Sequence, residues 1–437
     1  MPRSLNSADK FAQPQPPCRD SSRAGLFFCA ALPPFLQIAI NTSAPVMLNP
    51  NQALNDLAAD ARKRLQDKLK VEASLVAAAP GRVNLIGEHI DYCDGFVLPL
   101  AIERYVVFAA RPNDTHIARI ATEGQETVEI DLSTEQAISD VKWSNYLRGV
   151  IKGFQDLNYR IPGFDACIVS SVPLGAGLSS SAALECSFAT LLEGLVDTVL
   201  ATRDKALLAQ KAEHDFAKVP CGIMDQFASA YGKENHLILI DCRSGNSELV
   251  PFSDPSLSIV VANSNVSHDL SDGGYATRRK ATEDALAMIG KKSWRDVTMD
   301  DVLIHEKEMG NVMFRRSRHV VSEIARTIEA VESFKSNDFS KIGPLMAGSH
   351  RSLNHDFEVS CDELDLMVEI ANEIGFEGGV LGARMTGGGF GGSTVTLCRT
   401  QDASKIAETL HQRYLEKTGI TPLIFATRPA QGAHLLS

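Results

Sequence analysis

Between Asn51 and Val71 the apolar residues Leu54, Leu57, Ala61, Leu65 and Leu69 share one stripe, so the spacing predicts an amphipathic helix. Apolar runs then predict strands at 74–79, 105–111, 164–171, 236–242 and 257–264. Helical spacing covers Trp143 to Leu157, Ser180 to Val196 and Arg203 to Ala217. The second half is mainly helical, at 275–289, 311–334, 338–350 and 362–374. Strands resume at 380–385 and 393–398, followed by a helix at 403–417 and a strand at 422–427. Strands and helices alternate too irregularly for a Rossmann sheet, so the expected fold class is α+β. A chain of 437 residues exceeds one small core and predicts two domains. The boundary is expected near residue 250, giving an N-terminal domain over 47–250 and a C-terminal domain over 251–437.

Residues 1 to 46 break the pattern. A polar, Pro-rich start predicts disorder. The apolar run after it is interrupted by Pro33 and Pro34 and is short for a membrane span. The segment is expected to be a nonessential extension, neither a secretory signal nor an anchor, with Met47 a sensible initiator. The composition of the whole chain is that of a soluble globular protein, 44 % hydrophobic and 22 % charged. A formal net charge of −11 argues against nucleic-acid and anionic-membrane partners, which reward basic patches. The nine cysteines are scattered, without a CxxC pair, which predicts reduced thiols and a cytoplasmic protein.

Four segments carry candidate chemistry. Residues 79 to 99 read APGRVNLIGEHIDYCDGFVLP, with a turn expected at Pro80-Gly81. Arg82, Glu88, His89, Asp91 and Asp94 stand there among apolar residues. Carboxylates flanking an imidazole suit a polyhydroxylated ligand, and equally a structural ion-pair cluster. VPLGAGLSSSAALEC (172–186) reads as a Gly-rich turn opening a helix. Its backbone N–H groups and dipole favour an anion, although a Ser-capped helix has the same look. It is not a Walker A loop, since no GxxxxGK[ST] occurs. In KAEHDFAKVPCGIMDQF (211–227), Glu213 lies in a helix that Pro220 must end, and Asp225 sits among apolar residues. Such an Asp is tuned as a general base or buried as a structural group. GARMTGGGFGGS (382–393) packs five glycines around Phe390, which points to close approach of a ligand or backbone, or to a flexible hairpin tip.

Together, and in this order, the four segments resemble the GHMP kinases, the superfamily of galactokinase, homoserine kinase, mevalonate kinase and phosphomevalonate kinase. The two Gly-rich elements fit the whole superfamily. GRVNLIGEH-x-DY-x-x-G-x-VLP is narrower and resembles the galactokinase signature. VPCGIMDQF, residues 263–279, RRSRHVVSE (315–323) and SHRSLNHDFEVSCDELD (349–365) extend the similarity, which runs from about residue 74 to 398.

The resemblance implies two α+β domains with the active site in the cleft between them. It implies phosphorylation of α-D-galactose by ATP at the C1 hydroxyl, giving galactose 1-phosphate and ADP, the first committed step of galactose catabolism. By position, Asp225 matches the catalytic aspartate and Arg82 the arginine facing it. Glu88, His89, Asp91, Gly222 and Tyr275 match sugar-binding positions. Gly175, Ala176, Gly177, Leu178, Ser179, Ser180 and Ser181 match the ATP phosphate loop. Ser181 and Glu213 match the Mg²⁺ ligands, and Gly387 to Gly392 the third motif. The implied partners are ATP and galactose, and a monomer is expected. Three departures stand out. Ile90 replaces the usual Thr and Cys93 the usual Asn, which is expected to remove hydrogen-bonding groups near the sugar. Gly273-Gly274 replaces a Ser-containing stretch, which is expected to loosen the loop before Tyr275. The alternatives are a kinase for N-acetylgalactosamine, arabinose or galacturonate, and a non-catalytic galactose sensor. Such sensors lack the Ser-Ala step that this chain keeps at Ser181-Ala182.

Overall fold

The structure is a computed structural model, and it describes residues 50–267 and 274–436. The expectations for residues 1 to 46 therefore lie outside the described residues. The first half runs α1 (Pro50–Leu69), β1 (Leu75–Asn84), β2 (Phe96–Val97), β3 (Pro99–Pro112), β4 (Ile117–Thr122), β5 (Val128–Asp131), α2 (Ser144–Asp156), β6 (Phe164–Ser170), α3 (Ser180–Leu195), α4 (Thr202–Ala212), α5 (Met224–Tyr231), β7 (His236–Asp241) and β8 (Asn246–Pro251). The second half runs β9 (Leu257–Ser267), α6 (Gly274–Ile289), α7 (Met299–Ile304), α8 (Glu306–Ser336), α9 (Ile342–Ser352), α10 (Asp362–Ile374), β10 (Val380–Thr386), β11 (Gly391–Arg399), α11 (Ala403–Thr418), β12 (Leu423–Thr427) and β13 (His434–Leu436). The α+β class expected from the patterning is the class observed.

Six strands form the first sheet in the order β13-β1-β3-β6-β4-β5, antiparallel except for the β4–β6 pair. Side chains alternate across β3, and the two faces are buried differently. Tyr105, Val107 and Ala109 pack against Leu54, Leu57, Ala61 and Leu65 of α1. Val106, Phe108 and Ala110 face Phe154 of α2 and Phe188 and Leu192 of α3. The second sheet, β10-β11-β9-β12, is sandwiched in the same way. Val260 and Ala262 meet α10 and α11 through Ile370, Ile406 and Leu410. Ile259 and Val261 share a core with Ile342 and Met346 of α9. Strands β2, β7 and β8 form a third sheet.

Two local expectations need correction. No turn interrupts the chain at Pro80-Gly81: β1 continues to Asn84, with a register shift between Pro80 and Arg82. The backbone of the loop before α3 holds the strand here. Arg82 donates its N–H to the Leu178 carbonyl at 3.0 Å, and a Cβ on Gly81 would sit 2.7 Å from that oxygen. The helix expected from Arg203 to Ala217 is α-helical only to Ala212 and then widens into a π turn over Glu213–Ala217. Such turns displace one residue from the regular helical track, and here that residue set begins with Glu213.

Candidate active site

Three backbone features converge at one end of the first sheet. β1 delivers Arg82 and the segment after it delivers Glu88, His89 and Asp91. The loop before α3 delivers Gly175 to Ser181. The first turn of α5 delivers Asp225. That short helix was not foreseen, because the Pro and Gly residues before it make the segment read as a loop.

Arg82 binds these parts together. Its Nε and Nη2 lie 2.8 and 2.7 Å from Asp225 Oδ1, and its Nη1 donates to the Gly177 carbonyl at 2.6 Å. Ser179 donates its hydroxyl to the other carboxylate oxygen, Asp225 Oδ2. Ser179 occupies the N-cap position of α3 with φ 56°, and its side chain makes no capping bond. The hydroxyl that would cap the helix is instead spent on Asp225. The first-turn N–H groups of α3 are thus left for an anion. Gly175 and Gly177 have φ of 69° and 70°, and a Cβ on Gly175 would meet nothing within 4 Å, so this backbone is approachable. The third Gly-rich loop lies on it: Ser393 donates to the Ala176 carbonyl at 2.7 Å, and Gly387 and Gly392 back onto Gly177 and Ala176. This close backbone contact accounts for Gly387 and Gly392, and Gly389 lies against the Val359 carbonyl.

The sugar-type cluster is also assembled. His89 is buried with φ 60°, an uncommon conformation for a side chain with a Cβ. Burial first, then neighbouring His319, push its imidazole down to about 3, so it is neutral at pH 7. Its Nε2 lies 3.1 Å from the Gly388 carbonyl and so carries the proton, which leaves Nδ1 to accept the Tyr92 hydroxyl at 2.9 Å. Tyr275 packs its ring 5.5 Å from His89 and 5.4 Å from Tyr92. Asp91 is pushed up to about 7 by burial, then by the charges of Asp225 and Glu88. Gly222 presses against it so closely that a Cβ there would run into the carboxylate. Glu88 is the most enclosed of the set. Asn84 Nδ2, the Thr386 hydroxyl and the Gly387 N–H all donate to its carboxylate, and Arg384 Nη2 lies 3.8 Å away. Asn84, Tyr92 and Arg384 were not singled out from the sequence, although all three lie inside the quoted motifs.

Behind Asp225 lies a second acidic pocket. Ser181 hydrogen-bonds Glu213, and Gln226 Nε2 donates to Glu213 Oε2 at 2.5 Å and to Glu185 Oε2 at 3.2 Å. Burial and then the Asp225 charge push Glu213 up to about 7. Glu185 is raised well above the usual carboxylate range by burial and then by Glu213, and its Oε1 is buried without a partner. Hard oxygen donors beside a phosphate loop suit Mg²⁺, which takes few protein ligands and completes its shell with phosphate and water. Among the described residues no group of three or more His, Cys, Asp or Glu gathers as a metal site.

The sequence departures are placed differently from expectation. Ile90 and Cys93 are buried core residues, packed with Val97, Ile238, Ile240 and Ala285. Cys93 Sγ faces Thr282 Oγ1 at 3.6 Å. The turn at Asp91–Cys93 keeps Asp91 and Tyr92 at the cluster and turns Ile90 and Cys93 into the core. Gly274 opens α6, while Gly273 lies outside the described residues.

This geometry, a phosphate-type loop at a helix start facing an Arg–Asp pair, defines a GHMP kinase. The chain matches the family descriptions "GHMP kinases N terminal domain" over residues 145–233, "GHMP kinases C terminal" over 330–417 and "Galactokinase galactose-binding signature" over 63–112. It is 41% identical to the galactokinase of Homo sapiens over 389 residues, 87% of this chain and 97% of that one. Identity to the Haemophilus influenzae galactokinase is 41% over 366 residues, 82% of this chain and 94% of that one. The solved structure of Lactococcus lactis galactokinase complexed with galactose superposes with a TM-score of 0.80 at 31% identity, covering 87% of this chain and 99% of that one. The chain belongs to the galactokinase family. Among the described residues no helix is long and apolar enough to cross a membrane.

Proposed function

We propose that this kinase transfers the γ-phosphate of ATP to the C1 hydroxyl of α-D-galactose, giving galactose 1-phosphate and ADP. The observation that carries the reading is the Arg82–Asp225–Ser179 constellation, set between the phosphate loop and the cluster of His89, Asp91, Gly222 and Tyr275. Asp225 accepts the proton of the sugar hydroxyl as its oxygen bonds to the γ-phosphorus and the bond to the β-phosphate oxygen breaks. Arg82 keeps Asp225 paired and offsets the charge that develops on the transferring group. Backbone N–H groups from Gly175 to Ser181 hold the phosphates. Ser181 and Glu213 would hold Mg²⁺, which supplies charge neutralisation at the phosphate oxygens. His89, Asp91, the Gly222 backbone and Tyr275 contact the sugar. Glu88 joins this set and serves it mainly by fixing the third Gly-rich loop through Thr386 and Gly387.

The same reading divides the chain near residue 250, supported by the gap between β8 and β9, although β13 returns to pair with β1 in the first sheet. A cytoplasmic monomer without nucleic-acid or membrane partners completes it, in keeping with the acidic composition and with seven free thiols among the described residues.

The deciding experiment is a coupled ADP-release assay with galactose, N-acetylgalactosamine, arabinose and galacturonate. Galactose should give the highest kcat/KM. A preference for another sugar, or binding of ATP and galactose without ADP release, would overturn the assignment.

A pH dependence follows from Asp91. Its ionised form is the better acceptor for sugar hydroxyls, and it is pushed up to about 7 in the free enzyme. The value of kcat/KM for galactose should therefore fall as pH drops through about 7. In Asp91→Asn, KM for galactose should rise about tenfold and this acid limb should shrink. An unchanged limb in a pH series of kcat/KM would remove Asp91 from the sugar contacts.

A further inference from the structure

The segments 315–323 and 349–365 carry no role in the mechanism above, yet they abut the sugar cluster. His319 and Glu323 stand one turn apart on α8, both fully buried. Glu323 Oε1 accepts the Gly87 N–H at 3.0 Å and the Ser349 hydroxyl at 2.6 Å. Its Oε2 accepts Arg326 Nε at 2.7 Å. Burial alone would raise this carboxyl, but Arg326, His319, Arg384 and the Ser349 hydroxyl bring it down to about 2, so it is an anion. His319 is pushed down to about 4 by burial and is neutral at pH 7. Its Nε2 lies 3.1 Å from the Glu88 carbonyl and therefore carries the proton, while Nδ1 lies 2.9 Å from Ser352 Oγ.

The gripped groups are the peptide N–H entering Gly87 and the carbonyl leaving Glu88. Gly87 and His89, on either side of Glu88, have φ of 99° and 60°. A His held in that region persists only where its surroundings over-determine the backbone. We propose that Glu323 and His319 are positioning residues for galactose: they clamp the backbone at Gly87 and Glu88 and so fix the His89 imidazole and the adjoining Asp91 in the sugar cluster. This rests on the galactose reading of the site. Neither side chain touches the reacting atoms. A merely structural role would reduce the folded fraction and affect both substrates alike, whereas a clamp on the sugar segment separates them.

The test is steady-state kinetics of His319→Phe, His319→Gln, Glu323→Leu and Glu323→Gln with both substrates, the folded fraction being checked by near-UV circular dichroism. His319→Phe and Glu323→Leu should raise KM for galactose about tenfold, the scale of a lost bond to a buried polar group, and leave KM for ATP within about twofold. The Gln variants keep a donor at 319 and an acceptor at 323, and should recover most of the loss. Equal changes in both KM values, a change in kcat alone, or absence of rescue by Gln would overturn the clamp. Should the Phe and Leu variants fail to fold, Ser349→Ala takes their place. It removes one donor to Glu323 and should raise KM for galactose about threefold, and an unchanged KM there also overturns the proposal. Wild-type enzyme that leaves galactose unphosphorylated sinks the galactose reading. Wild-type enzyme active on galactose, with indifferent variants, sinks only the clamp.

Discussion

Asp225→Asn should lower kcat by about 10²-fold or more, the scale of general-base catalysis, while KM for galactose stays within about threefold. Asn keeps the size of Asp, and its carbonyl oxygen can still accept from Arg82 where Oδ1 now does, at 2.8 Å from Nε. What it loses is the ability to take a proton and the negative charge. Near-normal turnover would remove Asp225 from the chemistry. The lost charge has a second consequence. Asp91 and Glu213 are each pushed up to about 7 by burial and, after that, by Asp225. Removing a like charge eases ionisation of both, so their titrations should move downward in the variant. The sign for stability follows. A carboxyl with a raised folded-state value binds more protons folded than unfolded between about pH 4 and pH 7, so its contribution is lost as pH rises through about 7. The drop in Tm between about pH 5 and pH 8 should thus be smaller in Asp225→Asn than in wild type. An identical drop would mean that Asp225 does not face the other two carboxylates as the structure places it.

Most of the core was legible in the sequence because its signal is periodic. The stripe from Leu54 to Leu65 specifies a buried face, and α1 lies where it put the helix, whereas the apolar run at 105–111 marked only the second half of β3, which begins at Pro99. The elements that escaped are short. β13 is a three-residue strand and α5 an eight-residue helix, lengths at which no period can be distinguished and at which packing against β1 and α3 decides the conformation. The π turn at Glu213 has the same helical composition as α4, so nothing in the residue types marks where the register widens. The candidate site was legible for a different reason. Glycines are costly unless the backbone needs them: Gly175 and Gly177 take left-handed φ of 69° and 70°, and Gly387, Gly389 and Gly392 lie against neighbouring carbonyls. Adjacency misled at Ile90 and Cys93. Neighbours of a site residue in sequence point elsewhere in a tight turn, and here both enter the core. At Glu88 the sequence suggested a ligand contact without showing the protein partners of its carboxylate, which are Asn84, Thr386 and Gly387.

Arg82→Met should cost about 10²- to 10³-fold in kcat, the range seen when one preorganised donor to developing charge is removed. Met fills similar volume along the buried stem, so the loss isolates the guanidinium rather than the packing. Two separate functions disappear with it. The two contacts to Asp225 Oδ1 go, leaving a carboxylate beside Asp91 and Glu213 without its cation. The 2.6 Å bond to the Gly177 carbonyl also goes, and with it the link between Asp225 and the phosphate loop. KM for ATP should accordingly rise about three- to tenfold, a change that Asp225→Asn should not produce. Arg82→Lys separates the two functions. A single ammonium supplies the charge but lacks the planar fork that reaches Asp225 and Gly177 at once. It should therefore recover part of kcat, by about tenfold over Met, while KM for ATP remains raised. The measurement is initial-rate kinetics with each substrate varied at saturation of the other. Retention of more than about a tenth of wild-type kcat in Arg82→Met would show that the guanidinium shapes the site without stabilising the charge that develops there.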